Sequence, residues 1–326
     1  MKYTENIALG TMFGVAIGDA LGAPVEFMTA EEIKEKYGRI KNYVGGGWLN
    51  VKPGEVTDDT QMTLCVARGI YTVPSNPVEP TGLAFVQWIQ GGPKDVGGTC
   101  SRSIHGAVQY GKHNGRATMP MKEQWMLASQ DTHNLFGGRS AGNGSLMRTA
   151  YVGLFYGNID EISLRARELS KMTHWDDEAA SICGLYSRLI ARNEKNRRTL
   201  DERLKDLYEI IQFSPYAGAL EPGFRPRPTG YVRDSFEAAI WAIAQAVREG
   251  HITFRECVLN AVNLGGDADT IGAITGGLAG SIFGFDGIPD EWIEGLEDKD
   301  TVEELTFFAL EAARRNTLVE MTMAEG

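Results

Sequence analysis

Two stretches of the chain place glycine at every fourth position. Gly10, Gly14, Gly18 and Gly22 form one series, in "GTMFGVAIGDALG"; Gly272, Gly276, Gly280 and Gly284 form the other, in "GAITGGLAGSIFG". On an α-helix, residues four apart share a face, so each series is a bare ridge along which a second backbone can approach closely. A glycine inside a helix costs about 1 kcal/mol relative to alanine. Four in register therefore need a packing reason, and the spacing predicts two central helices lying against each other along these ridges.

The remaining pattern is also helical. A Thr followed three residues later by Glu or Asp marks a helix start, because hydroxyl and carboxylate satisfy the orphan amides of the first turn. It occurs at Thr29/Glu32, Thr173/Asp176, Thr253/Glu256 and Thr301/Glu304. After Thr173, Ala179, Ile182, Cys183, Tyr186, Leu189 and Ile190 follow three-four spacing, as do Phe236, Ile240, Ile243 and Val247 before a stop at Gly250. Period-two alternation is scarce, and "YVGLFY" is one of the few runs that reads as a strand. Residues 39–58 and 90–100 are glycine-rich loops. "ATMPMKEQW", "FGGRSAGNGSLMR" and "SPYAGALEPGFRPRPTG" read as further connections, and residues 191–206 as a solvated helix face and turn. No composition shift marks a boundary, so the expectation is one mainly α domain over residues 1–326.

Charge and cysteine usage narrow the function. The net charge of −11 argues against a nucleic-acid partner, which needs a basic face. Cys65, Cys100, Cys183 and Cys257 are widely spaced with no CxxC pair, the usage of reduced thiols in a cytoplasm. Glu5 and Asp19 interrupt the N-terminal region, which lacks a basic n-region. Neither a signal peptide nor a transmembrane segment is expected.

The chemistry concentrates in two similar strings. "TDDT" spans Thr57 to Thr60 and "DADT" spans Asp267 to Thr270, each at an expected helix start. One aspartate at a helix N-terminus is ordinarily a cap favoured by free amides and the macrodipole. Two such strings facing one another are a different matter. Four carboxyl groups in a small volume stay ionised only beside a cation; otherwise their pKa values rise strongly. A pair of divalent cations resolves the conflict, and an all-oxygen donor set selects hard ions, Mg²⁺ or Mn²⁺. The five histidines show no HxxxH spacing, which speaks against zinc. A terpenoid-synthase DDxxD motif is not met, because Met62 stands at the fifth position.

These residues resemble the ADP-ribosylglycohydrolase family, and most of all its bacterial dinitrogenase reductase-activating branch. The resemblance runs from "GTMFGVAIGDALGAPVEF" through "GGGWLNVKPGEVTDDTQM", "DVGGTCSRSI", "AGNGSLMR" and "MTHWDDEA" to "NLGGDADTIGAITGGLAG" and "IPDEWI". It implies an all-α fold, a compact bundle of orthogonally packed helices around a central dinuclear metal site. It implies Thr57, Asp58, Asp59, Asp267, Asp269 and Thr270 as metal ligands. Glu26, of "PVEF", falls near the metals and the scissile bond, and Asp95, of the "DVGGT" loop, is the acid/base candidate. The implied reaction is release of ADP-ribose from an arginine of a target protein, in this branch the nitrogenase iron protein, with PII-type signalling proteins among the regulators. Other linkages (serine, an acetyl ester, a nucleic-acid base), a toxin-modified target, or non-catalytic ADP-ribose binding are the alternatives.

Other candidates follow from side-chain chemistry. Gly142, Asn143, Gly144 and Ser145 offer small residues and free amides for a diphosphate, against the plainer reading of an Asn-Gly turn. Trp48 and Tyr231 are candidates for stacking on adenine or on a guanidine plane. Gly98 and Thr99 belong to the Asp95 loop; relatives often carry Asn at the position of Gly98, a departure that touches substrate positioning and no metal ligand. His174 reads as a wall or cap residue, Asp19 as a buried carboxylate behind the metal ligands, and Cys100 as unreactive.

Overall fold

A computed structural model describes residues 1–113, 115, 120–195 and 198–324. Among the described residues, fifteen α-helices follow in chain order. They are α1 (Tyr3–Gly22), α2 (Ala30–Tyr37), α3 (Asp58–Thr72), α4 (Val78–Gln90), α5 (Gly98–His113), α6 (Lys122–Leu135), α7 (Ala150–Phe155) and α8 (Ile159–Lys171). Then come α9 (Asp177–Lys195), α10 (Leu200–Gln212), α11 (Val232–Arg248), α12 (Phe254–Val262), α13 (Ala268–Phe283), α14 (Asp290–Glu294) and α15 (Lys299–Ala324). Among the described residues there is no strand, only isolated bridges such as Gly142 with Tyr231.

Helices α1 and α13 form the centre, and the glycine ridges are what bring them together. A β-carbon built on Gly10, Gly14, Gly18 or Gly22 would collide with the carbonyl oxygen of Gly280, Gly276, Gly272 or Ala268 respectively. The falling order of partners makes the pair antiparallel with a fixed register. Its consequence is functional: the C-terminal end of α1, with Asp19, meets the N-terminal end of α13, with Asp267 and Asp269. Gly284 caps α13 with φ +74 and still lies against α1, where a β-carbon on Gly10 would meet its carbonyl carbon. By length and apolarity, Tyr3–Val25 is long enough to cross a membrane, but its most apolar stretch is buried inside the protein; its apolar surface is used in packing.

Several local readings need correction. "YVGLFY" is mostly α7, not a strand: Tyr151 to Tyr156 are all buried, and a fully buried apolar run loses the one-sided periodicity that separates helix from strand. Thr29 and Thr253 cap α2 and α12 as expected. Thr173 and Thr301 do not cap. Asp176 Oδ1 accepts from the Glu178 and Ala179 amides at the start of α9, and Asp298 takes the Thr301 amide and hydroxyl at the start of α15. Of "ATMPMKEQW", residues 117–119 lie outside the described residues and Lys122 onward is already α6. Within residues 191–206, Asn193 and Glu194 are buried, not solvated.

Candidate active site

The floor of the site is two helix N-termini that withhold their capping side chains. Thr57 occupies the N-cap of α3 and Asp267 that of α13, and neither side chain accepts a bond from its own helix. The Thr57 hydroxyl donates instead to Asp19 Oδ1 (2.7 Å). Asp19, fully buried on α1, also accepts the Thr57 amide at 2.9 Å, the Thr60 amide at 3.1 Å and the Thr60 hydroxyl at 2.5 Å. Asp19 thus fastens the TDDT turn to the central helix. Burial lifts its pKa to about 6 in spite of these donors.

The two acidic strings converge. Thr57 Oγ1 lies 3.4 Å and Thr270 Oγ1 3.5 Å from Asp59 Oδ2, although Asp59 and Thr270 are 211 residues apart. Oxygens of Glu26, Asp267 and Asp269 come within 4.8 Å of one another. Burial first, then mutual repulsion, raises Asp58, Asp59 and Asp269 well above the ordinary carboxylate range. Glu26 is pushed up to about 7, chiefly by burial, with the Trp48 indole N–H opposing and Asp267 and Asp95 adding to the rise. Such a cluster is costly unless cations neutralise it. The residues fit that role: Asp59 Oδ1 is buried with no hydrogen-bond partner, and the donors are all oxygen, as hard divalent ions require.

Glu26 joins this floor because a backbone clasp holds the segment after α1 against the DADT loop. The Phe27 amide donates to the Gly266 carbonyl (2.6 Å) and the Gly266 amide to the Met28 carbonyl (2.7 Å). Phe27 takes φ +64, a region costly for a bulky side chain. Its exposed ring then stands against Trp48, with centroids 5.5 Å apart. Trp48 was legible as a candidate; its partner Phe27 was not, because nothing in "PVEFM" signals a left-handed residue.

Above the floor lies a cavity of about 260 Å³. Asp95 and the start of α5, Gly97 to Cys100, form one lip; Gly142 to Gly144 and His174 form the other. Asp95 is half-buried, accepts the Val96 amide at 2.7 Å, and has its pKa raised by burial and by Asp267. Asn143 does more than line the wall. Its side-chain amide donates to Asp267 Oδ2 (2.8 Å), and its backbone amide to the Gly230 carbonyl (3.0 Å). Two candidates fall off the wall. Ser145 is fully buried, accepting from the Ser170 hydroxyl. Tyr231 donates its hydroxyl to Glu178 and reaches the site through its backbone bridge to Gly142.

Arg148 is a second residue that sequence reasoning missed. Its guanidinium is buried with no carboxylate partner. Nη1 donates to the Gly144 carbonyl at 3.0 Å, Nη2 to the Leu169 carbonyl at 3.2 Å and to Thr173 Oγ1 at 2.8 Å, and the group stacks on Phe85. It ties the 142–144 lip to the turn between α8 and α9. Because guanidinium only donates, Thr173 accepts there, and its hydroxyl lies 2.8 Å from His174 Nδ1. With the Thr173 proton given to Nδ1, the ring proton is on Nε2, the nitrogen on the side of Gly142 and Gly144. Burial, with Arg148 adding to it, lowers the His174 pKa to about 3, so this wall residue is a neutral donor. Cys100 is buried with its thiol pKa raised, unsuited to nucleophilic work.

Comparison with known proteins agrees with this geometry. The ADP-ribosylglycohydrolase family model matches residues 2–319. The chain belongs to the ADP-ribosylglycohydrolase family. An ADP-ribosyl-[dinitrogen reductase] glycohydrolase of Rhodospirillum rubrum is 33% identical over 298 residues, 90% of each chain. An ADP-ribosylarginine hydrolase, Tri1, of Pseudomonas putida is 30% identical over 305 residues, covering 91% of this chain and 76% of the relative. Among solved structures, an ADP-ribosylglycohydrolase-related protein complex superposes with a TM-score of 0.75 at 27% identity, covering 97% of this chain and all of that one. As a member of this family the chain is a hydrolase, all-α, with an acidic cluster able to hold metal.

Proposed function

We propose that this hydrolase cleaves the N-glycosidic bond between ADP-ribose and an arginine of a modified protein, with two divalent cations, Mg²⁺ or Mn²⁺, on the carboxylate floor. The observation that carries the reading is the meeting of TDDT and DADT at Asp59, whose Oδ1 has no protein partner, directly beneath a cavity bounded by Asp95. Thr57, Asp58, Asp59, Asp267, Asp269 and Thr270 would hold the ions, with Glu26 in reach. Bound there, cations supply orientation of the ribose hydroxyls and activation of water.

The chain's own residues supply the proton transfers. A guanidine leaves poorly unless protonated, and Asp95, half-buried at the lip with its pKa raised by burial, is the carboxyl placed to pass a proton to it. Glu26, whose pKa rises to about 7 without cations, is a second carboxyl on the floor beside Asp267 and Asp269. Gly142 and Gly144 let a diphosphate approach the backbone, and His174 Nε2–H offers a donor whose charge does not change across working pH. Phe27 and Trp48 present aromatic faces at the mouth. The Tri1 relative supports the arginine linkage and the Rhodospirillum relative makes the nitrogenase iron protein the first target to test.

The test compares release of ADP-ribose from an ADP-ribosylarginine peptide and a serine-linked peptide, with and without chelator. Cation-dependent cleavage of the arginine linkage supports the reading. Cleavage confined to the serine linkage, or full activity after exhaustive chelation, refutes it. Modified nitrogenase iron protein, offered beside an unrelated arginine-modified protein, then tests the target.

A further inference from the structure

A second concavity of about 720 Å³ runs away from the cavity between α5 and α6, and Gly98 lines both. Arg102, His105, Gln109 and His113 line its α5 side, spaced so that they share one helix face. Gly106 and Ala128 close its floor, where the two helices nearly touch. Asp131 and Thr132 stand on the α6 side, and Asp131 is engaged by the Tyr110 hydroxyl. Arg102 is exposed and has no hydrogen-bond or ion-pair partner among the described residues.

The charge here runs against that of the whole molecule. Residues 91–140 carry six Lys and Arg against three Asp and Glu, in a chain of net charge −11. Lys94 and Lys122 are engaged by Glu55 and Glu168, and among the described residues Arg102 is the one lysine or arginine that lines the groove. The groove also begins on the Asp95 side of the cavity, where the leaving group departs, and not on the 142–144 side suited to diphosphate.

We infer that the α5–α6 groove receives the polypeptide flanking the modified arginine, and that Arg102 selects segments with an acidic residue beside it. This inference rests on the arginine-linkage reading above. A charge at the rim of an interface acts mainly on encounter and is weakened by salt, so the selection is read in KM and in its ionic-strength dependence.

The experiment measures rates on ADP-ribosylarginine, on an ADP-ribosylated peptide with Asp or Glu beside the modified arginine, and on the same peptide with Lys there. The enzymes are wild type, Arg102→Glu and, one turn along the same face, His105→Glu. Wild type should favour the acidic peptide by about 10-fold in kcat/KM, through KM, with the preference shrinking as salt is added. Arg102→Glu should reverse the order, and His105→Glu should weaken it. Equal use of both peptides by wild type overturns the inference, as does an Arg102→Glu loss that is the same on all three substrates. Wild type inert on ADP-ribosylarginine is a separate result, which refutes the linkage reading and this inference with it.

Discussion

Replacing Gly18 by alanine tests whether the glycine ridge holds the site together. The added carbon would stand 2.0 Å from the Gly272 carbonyl oxygen and 2.3 Å from the Gly272 carbonyl carbon. Ordinary contact needs about 3.5 Å, so the α1 and α13 backbones must part by roughly 1.5 Å or bend. No flexible side-chain tip can yield, because both offending atoms are main chain. Overpacking a core costs about 1–3 kcal/mol, and a backbone collision belongs at the upper end. Taken with about 2–4 °C per kcal/mol for a large domain, Gly18→Ala should melt roughly 5–10 °C below wild type. Activity should fall further than stability implies, because Asp19 is the next residue and α13 begins with the DADT string. A displacement of about 1 Å at a reacting centre can cost on the order of 10²-fold. Thermal unfolding and turnover at saturating Mn²⁺ read both effects. Gly223→Ala is the control: its added carbon meets nothing within 4 Å and should leave both unchanged. Wild-type melting and turnover in Gly18→Ala would refute the packing argument.

Three further outcomes are expected. Asp95→Asn should keep cation binding, measured by titration calorimetry, and lose about 10²–10⁴-fold in turnover; near-normal turnover removes Asp95 from the chemistry. In excess chelator, stability should fall as pH rises. Asp19 and Glu26 have pKa values raised to about 6 and about 7, so the folded state holds more protons than the unfolded one between about pH 4 and 7, and the stability present below that window is lost across it. The midpoint should therefore be higher near pH 5 than near pH 8, and Mg²⁺ or Mn²⁺ should restore the loss near pH 8; a chelated protein that melts higher near pH 8 contradicts the sign. Thr173→Val should free His174 Nδ1, shifting the imidazole ¹⁵N signals away from the Nε2–H pattern and raising KM more than it lowers kcat, while Thr173→Ser preserves both; identical spectra in wild type and Thr173→Val dispose of the tautomer assignment.

The parts of this site that were legible in the sequence are those built from short-range pattern. A four-residue glycine period is a statement about one helix face, and both series lay on faces that meet. TDDT and DADT were legible because carboxylates of that density need an explanation wherever they occur. The parts that were not legible depend on tertiary neighbours. Thr173 has the spacing of a cap, yet its hydroxyl serves Arg148 and His174 while Asp176 caps α9. Ser145 sits in a string that looks like a phosphate loop, yet its side chain turns to Ser170 and the core. Arg148 is a single arginine in "SLMRTA" and carries no local signal that it is buried.

The ridge and the acidic floor explain each other. Four carboxylates from two helix N-termini repel, and nothing local would keep α3 and α13 end to end. Two anchors oppose that repulsion. The glycine contact fixes the register of α13 on α1 through main-chain proximity, which no rotamer change can relax. Asp19 then accepts four donors from Thr57 and Thr60, so the TDDT turn is positioned from the same helix, one residue beyond Gly18. Both halves of the floor therefore refer to α1, which sets their separation. The same main-chain register and the same buried carboxylate therefore set the whole floor, and the 211 residues between Asp59 and Thr270 are spanned through α1.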